Sequence, residues 1–284
     1  MEINKIMVAA EMDDLSGKAT EYALQLARQM NVKEVVLLNT IIPVQTQAYT
    51  ATGDVIPAES AMADRLSLTL KKKHLAMVQA EAEKYAVPGI IIKPVVGFSE
   101  NKNDLDHFMT ECETDLLVCG SRDEKTFLKK LFGTTAGEMA RKSAYPMVVI
   151  KEETVLEPVK DIALAIDINL DNQPGIQEVI HFARQLNARL QLVHIVTNDD
   201  KKPDQAIDKL HDLALEYHLE GHAIHVINNQ SLEQGLRSFI RNYNPSMVAV
   251  LSRGKGKLRK LIFGSHTEDI LQDTDKPLFV GKDQ

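Results

Sequence analysis

Cys119-Gly120-Ser121-Arg122-Asp123, running on to Leu131-Phe132-Gly133-Thr134-Thr135, occurs twice in this chain in altered form. Its counterpart is Val250-Leu251-Ser252-Arg253-Gly254, running on to Ile262-Phe263-Gly264-Ser265-His266-Thr267. Both copies open with an apolar run suited to a buried strand. Both pass through Ser-Arg and a basic linker, then end on Phe-Gly and a hydroxyl residue. The spacing from Ser121 to Gly133 equals that from Ser252 to Gly264. A strand, a loop and a glycine with Ser or Thr opening a helix make a local anion site, because the free N–H groups of a helix start face the loop.

The repeat extends outward from this stretch. Lys5-Ile6-Met7-Val8-Ala9-Ala10 and Ile162-Ala163-Leu164-Ala165-Ile166 are nearly continuous apolar runs, as for strands covered on both faces. Each is followed by an acid, Glu11 or Asp167, and then by apolar residues at helical spacing. Ala27-Arg28-Gln29-Met30-Asn31 matches Ala183-Arg184-Gln185-Leu186-Asn187, 156 positions later. Near the end of each half, Asp115–Val118 matches Ser246–Ala249 and the stretch from Tyr145 matches Lys276–Val280, both at an offset of 131. A period this long means two copies of a whole domain. The spacing predicts a β-α-β-α-β-α-β-α-β order in each half, with domains at 1–151 and 159–284 and a charged linker at Glu152–Pro158. Alternating elements with apolar strands imply a doubly wound α/β fold, whose ligand crevice lies at the carboxyl ends of the first and fourth strands. Ser16 is expected to cap the first helix. The first copy is longer by the segment from Pro43 to about Asp64, which reads as a long surface loop ahead of a helix over 65–85.

Composition narrows the function classes. The chain has 284 residues, 44% apolar and 26% charged, enough for two ordinary cores. A formal charge of −7 argues against a general nucleic-acid binder. No run of about 18 or more apolar residues suggests a membrane span. The amino terminus enters a strand directly, without a secretory pattern, which predicts a cytoplasmic protein. Cys112 and Cys119 have no zinc spacing and read as buried free thiols.

With these motifs in place, the chain resembles a tandem-domain universal stress protein over nearly its whole length. Nucleotide-binding members of that family carry Gly-x2-Gly-x9-Gly-Ser/Thr after the fourth strand and an Asp after the first. Those positions fall on Gly120, Asp123, Gly133 and Thr134 in the first half, and on Leu251, Gly254, Gly264 and Ser265 in the second. Each half lacks one glycine. The residue near the end of the second strand, often His in the family, is Asn39 in one copy and His194 in the other. The resemblance implies two tandem doubly wound domains, each a five-stranded parallel sheet of order 3-2-1-4-5 flanked by helices. It also implies that the two last strands pair as an intramolecular pseudo-dimer, open to further homodimerisation.

The resemblance further implies an adenine nucleotide, such as ATP with Mg, and unidentified protein partners, with no nucleic acid and no membrane. The nucleotide-binding candidates are Asp167, Arg253, Gly254, Gly264, Ser265 and Thr267 in the second half, and Glu11, Gly120, Gly133 and Thr134 in the first. Asp123 puts a carboxylate where phosphate is expected, which impairs the first site. Leu251 in the second is expected to crowd the ribose or base. No catalytic residue and no protein metal ligand is assigned, so turnover is at most weak ATP hydrolysis. Glu11, Asp13 and Asp14 are either a solvated turn or a magnesium site with phosphate. His211, His218, His222 and His225 read as solvated or hydrogen-bonded rather than as zinc ligands. The competing functions are a stress-response regulator or sensor with degenerate nucleotide sites, an interaction scaffold with decayed sites, and a small-ligand binder using 43–64 as a lid.

Overall fold

In the computed structural model, the described residues are 2–44, 46–49, 55–58, 61–99, 104–120, 143–168, 174–197, 205–219, 221–251 and 275–282. The first half runs β1 (Lys5–Ala9), α1 (Asp14–Met30), β2 (Glu34–Ile41), β3 (Thr46–Tyr49), β4 (Val55–Ala58), α2 (Ala61–Lys84), β5 (Ile91–Phe98), α3 (Asp104–Glu111), β6 (Leu116–Gly120) and β7 (Met147–Ile150). The second runs β8 (Asp161–Ala165), α4 (Pro174–Gln185), β9 (Arg189–Val196), α5 (Ala206–Glu216), β10 (Ala223–Asn228), α6 (Leu232–Tyr243), β11 (Met247–Leu251) and β12 (Leu278–Gly281).

Ten of these strands form one sheet, in the order β10-β9-β8-β11-β12-β7-β6-β1-β2-β5. Within each half every main pairing is parallel and the order is 3-2-1-4-5, as expected. The halves meet where β12 runs antiparallel to β7, pairing Leu278 with Val149, Phe279 with Val148 and Val280 with Met147. All eight residues of these two strands are buried, which explains their unbroken apolar sequence. Phe279 stacks on Phe182 of α4 at 4.3 Å between centroids. Buried side chains cover both faces of the sheet, one cluster under α1, α2, α4 and α5, the other under α3 and α6.

The repeated Ala-Arg-Gln-(Met/Leu)-Asn stretch does two jobs. Asn31 and Asn187 end their helices at positive φ, 61° and 51°. Val32 N–H and Ala188 N–H close the turns on the carbonyls of Ala27 and Ala183, both at 2.8 Å. The glutamines reach across to the other half. Gln29 donates to Val159 O at 2.6 Å and accepts from Val159 N–H at 3.0 Å. Gln185 does the same with Ile3, at 2.6 and 2.9 Å. Ile3 and Val159 are themselves 156 positions apart, so the two clamps are related by the pseudo-twofold axis.

Two expectations are corrected. Asp13, not Ser16, caps α1: its carboxylate accepts from Ser16 N–H at 2.7 Å, and Ser16 Oγ accepts from Asp13 N–H at 3.0 Å. Ser16 thus sits at the third helical position of a capping box, because Asp13 has the extended backbone a cap needs. The 43–64 segment is not simply a loop. It contains the antiparallel pair β3–β4, and α2 already starts at Ala61. The strand pairing satisfies backbone groups that a plain loop would leave to water.

Candidate functional site

The crevice of each half opens where β1 and β6, or β8 and β11, end. In the first half β1 gives way to Ala10 and then to Glu11, whose side chain is exposed. Met12 follows at φ 62°, a left-handed conformation that is unusual for a residue with a long side chain. In the second half β8 gives way to buried Ile166 and then to Asp167, which is only 5% exposed. A carboxylate taken out of water needs a donor or a cation, whereas an exposed one does not. The two acids, equivalent in sequence, therefore stand in opposite environments.

The ends of the second strands differ in the same direction. Asn39 donates to Ala10 O at 2.6 Å, while its Oδ1 is 2.8 Å from His74 Nδ1 on α2. Both functions of its amide are thus matched inside the fold. His194 takes the equivalent place: its Nδ1 is 2.9 Å from Ile166 O. A carbonyl only accepts, so Nδ1 carries a proton. Nε2 is buried and has no hydrogen-bond partner among the described residues. His194 as a whole is 4% exposed.

Gly120 ends β6, and a Cβ there would lie 2.4 Å from Leu15 Cγ of α1. Its glycine is needed for packing, since Leu15 already fills the space beside it. The register supplies the reason for Leu251 at the equivalent position. Gly120 pairs with Ile150 across β6–β7, and Leu251 pairs with Gly281 across β11–β12. The glycine has moved to the neighbouring strand. A Cβ on Gly281 would lie 3.1 Å from Leu251 Cδ2 and 3.3 Å from Val179 Cγ2, so Leu251 packs into the core beneath α4. Its bulk is accounted for by Gly281.

Asp13, weighed above as part of a magnesium site, is spent on the cap of α1. Among the described residues no group of three or more His, Cys, Asp and Glu could hold a metal ion. His222 Nδ1 meets Leu219 O at 2.7 Å, and the His225 ring packs 4.4 Å from Tyr243 and 5.0 Å from Phe239. Both histidines are engaged locally, as hydrogen-bonded or packed rings. Cys112 and Cys119 are buried and free, and burial pushes the Cys119 thiol up to about 12. That holds the sulfur in its unreactive protonated form.

Of the ten sequence-chosen residues, the structure positions Glu11, Gly120 and Asp167. Gly133, Thr134, Arg253, Gly254, Gly264, Ser265 and Thr267 lie outside the described residues. Sequence reasoning left Asn39, His74, Leu15 and His194 out of the candidate site. The repeat alignment did pair Asn39 with His194, which was the available signal.

Comparison with known proteins agrees with this architecture. The universal stress protein family matches residues 2–151 and again 158–282. The universal stress protein YxiE of Bacillus subtilis is 24% identical over 148 residues, 52% of this chain and 99% of that protein. Among solved structures, a universal stress protein from Archaeoglobus fulgidus superposes with a TM-score of 0.66 at 14% identity, covering 98% of this chain and 96% of the other. A Pseudomonas aeruginosa protein of unknown function gives 0.60 at 13% identity, covering 99% and 92%. At such identities the structural likenesses speak for the fold alone. No helix among the described residues is long and apolar enough to cross a membrane. Matched along both halves, the chain belongs to the universal stress protein family, as two of its domains in tandem.

Proposed function

We propose that this chain is a cytoplasmic stress-response protein that binds an adenine nucleotide, ATP or a relative, in the crevice of its second half. The first half serves as the structural partner of that site. One observation carries the reading: at equivalent strand ends, the second half holds a buried acid, Asp167, and a buried acceptor with no partner among the described residues, while the first half holds an exposed acid and an amide matched on both its functions. A buried acceptor left unmatched among the described residues is a place for a donor; an amide matched on both its functions is not. Arg253, Gly254, Gly264, Ser265 and Thr267 follow β11 in sequence and supply the phosphate chemistry of the reading. A bound triphosphate would bring magnesium with it. The reading assigns binding and sensing, not turnover.

Equilibrium dialysis of the whole chain against ATP, ADP and AMP tests this. One nucleotide per chain is expected, and Gly264→Val, which puts a branched side chain where phosphate must approach, should abolish binding. No binding at millimolar nucleotide overturns the reading. Unchanged affinity in Gly264→Val moves the site elsewhere. A second reading, a ligand-free scaffold, is favoured for the first half by Leu15 over Gly120 and by the Asn39–His74 contact.

A further inference from the structure

We propose that the outer edge of β10 pairs with β10 of a second copy of this chain, antiparallel about a twofold axis, so that the sheet continues across a homodimer. The sheet has two edge strands, β5 in the first half and β10 in the second. They are equivalent in the repeat: Pro94 pairs with Leu37 and Ile224 with Leu192, and Leu37 and Leu192 stand two residues before Asn39 and His194. The ladders that hold these strands fix which backbone groups point outward. Ile91 N–H donates to Lys33 O at 2.8 Å and Ser99 N–H to Ile41 O at 3.0 Å, so alternate residues of β5 starting at Ile91 face β2. Ile92, Pro94, Val96 and Phe98 therefore turn their backbone groups outward. Asn229 N–H donates to Val196 O at 3.0 Å, and the same alternation leaves Ile224, Val226 and Asn228 facing away from β9.

The two edges are finished differently. On β5, Pro94 falls at an outward position and has no N–H to offer, and Lys93 beside it adds a charge; both discourage a further strand. On β10 the equivalent outward position is Ile224, which keeps its N–H, and the row Ile224, Val226, Asn228 is unbroken. Among the described residues no strand lies beyond β10, and no backbone carbonyl accepts from these three N–H groups. An edge of this kind takes an extended strand. Composition selects a second copy as that strand. Residues 221–230 include no Asp, Glu, Lys or Arg, in a chain of net charge −7, so two copies meet along this edge without opposing like charges. Ala223 to Ile227 are only half-buried, which leaves apolar surface for the same residues of the copy to cover. A twofold axis that sets Val226 against its own counterpart puts Ile224 opposite Asn228 and His225 opposite Ile227. That register uses every outward residue of β10 and places no histidine against its counterpart.

Sedimentation velocity of the full chain over a concentration series, with amide hydrogen exchange on the same samples, tests the pairing. Wild type should reach a dimer by about 0.1 mM. The amides of Ile224, Val226 and Asn228 should exchange slowly in the dimer and quickly on dilution. Ile224→Pro, which gives β10 the guard that Pro94 gives β5, should weaken dimerisation at least about tenfold. It leaves the β9 ladder standing, because the Ile224 N–H points away from β9. A dimer that forms equally well in Ile224→Pro overturns the proposal, and so does one whose three outward amides exchange as fast as in the monomer. A wild type that stays monomeric overturns it too, including one whose edge amides are protected only by an added alternating valine-threonine peptide, which would assign the edge to another protein's strand. If Ile224→Pro does not fold, as judged by circular dichroism, the wild-type exchange still decides.

Discussion

Gly120–Ile150 in the first half and Leu251–Gly281 in the second occupy the same two registers of the same two strands. The volume is conserved across the pair while the glycine changes strand. In the first half Leu15 of α1 packs onto Gly120; in the second Leu251 packs down on Gly281 beneath α4. A missing motif glycine is thus not by itself a damaged ligand site. It must be weighed with its cross-strand neighbour, because core packing responds to the sum of volumes. The strand ends above this pair differ in another way. Asn39 is closed off by His74. At this strand end the first half pairs its amide internally, while in the second His194 Nε2 has no partner among the described residues.

Four further measurements break or sharpen that comparison. The largest effect belongs to the seam that makes the halves one body. Phe279→Ala removes a fully buried ring that stacks on Phe182, and should destabilise the chain by about 3–5 kcal/mol. Urea unfolding followed by circular dichroism reads it. A loss under about 1 kcal/mol would mean the β7–β12 seam contributes little.

Next in size is the glycine exchange. Gly120→Leu copies the second half into the first and drives a side chain into Leu15, at a cost of about 1–3 kcal/mol. Adding Ile150→Gly, which completes the second half's pairing, should restore stability relative to Gly120→Leu alone. If the double variant is worse than the sum of its parts, the two positions do not exchange volume. Smaller again is the clamp: Gln185→Ala strips two hydrogen bonds from the Ile3 backbone, about 1–2 kcal/mol in the same assay.

The smallest effect is pH-dependent and confined to the second half. Burial, helped by the Arg189 charge, holds His225 below its ordinary value of 6.5. The folded state therefore favours the neutral ring. Its stabilisation is complete above about pH 6.5 and is lost as pH falls through the lower folded-state value. Thermal melts from pH 7.5 to 5 should show a decline that His225→Phe flattens. A variant with the same slope as wild type would assign the decline to other groups.

Much of this was legible along the chain. The apolar runs, the helical spacing and the two offsets specified ten parallel-sheet strands in two matching sets, because buried parallel strands must be apolar at every residue. The repeat also located the two polar strand ends. It could not separate them: Asn39 and His194 look alike as polar residues closing apolar runs. Ser16 was mistaken for the cap because Asp and Ser are both good cap residues, and only backbone conformation distinguishes them. The β3–β4 pair was missed because Pro57 and the polar residues around it read as loop.

Sequence alone determined the duplication and the strand order's ingredients, since these rest on periodicity and spacing that are local along the chain, and its motifs carried the resemblance to the family. Tertiary structure decided which polar groups are satisfied. It brought His74 to Asn39 across 35 positions, Leu15 to Gly120, Gln29 to Val159 and Gln185 to Ile3, and left His194 Nε2 with no partner among the described residues. Hydrogen bonding and packing are matters of proximity in space, and residues distant in sequence set them only once the chain has folded.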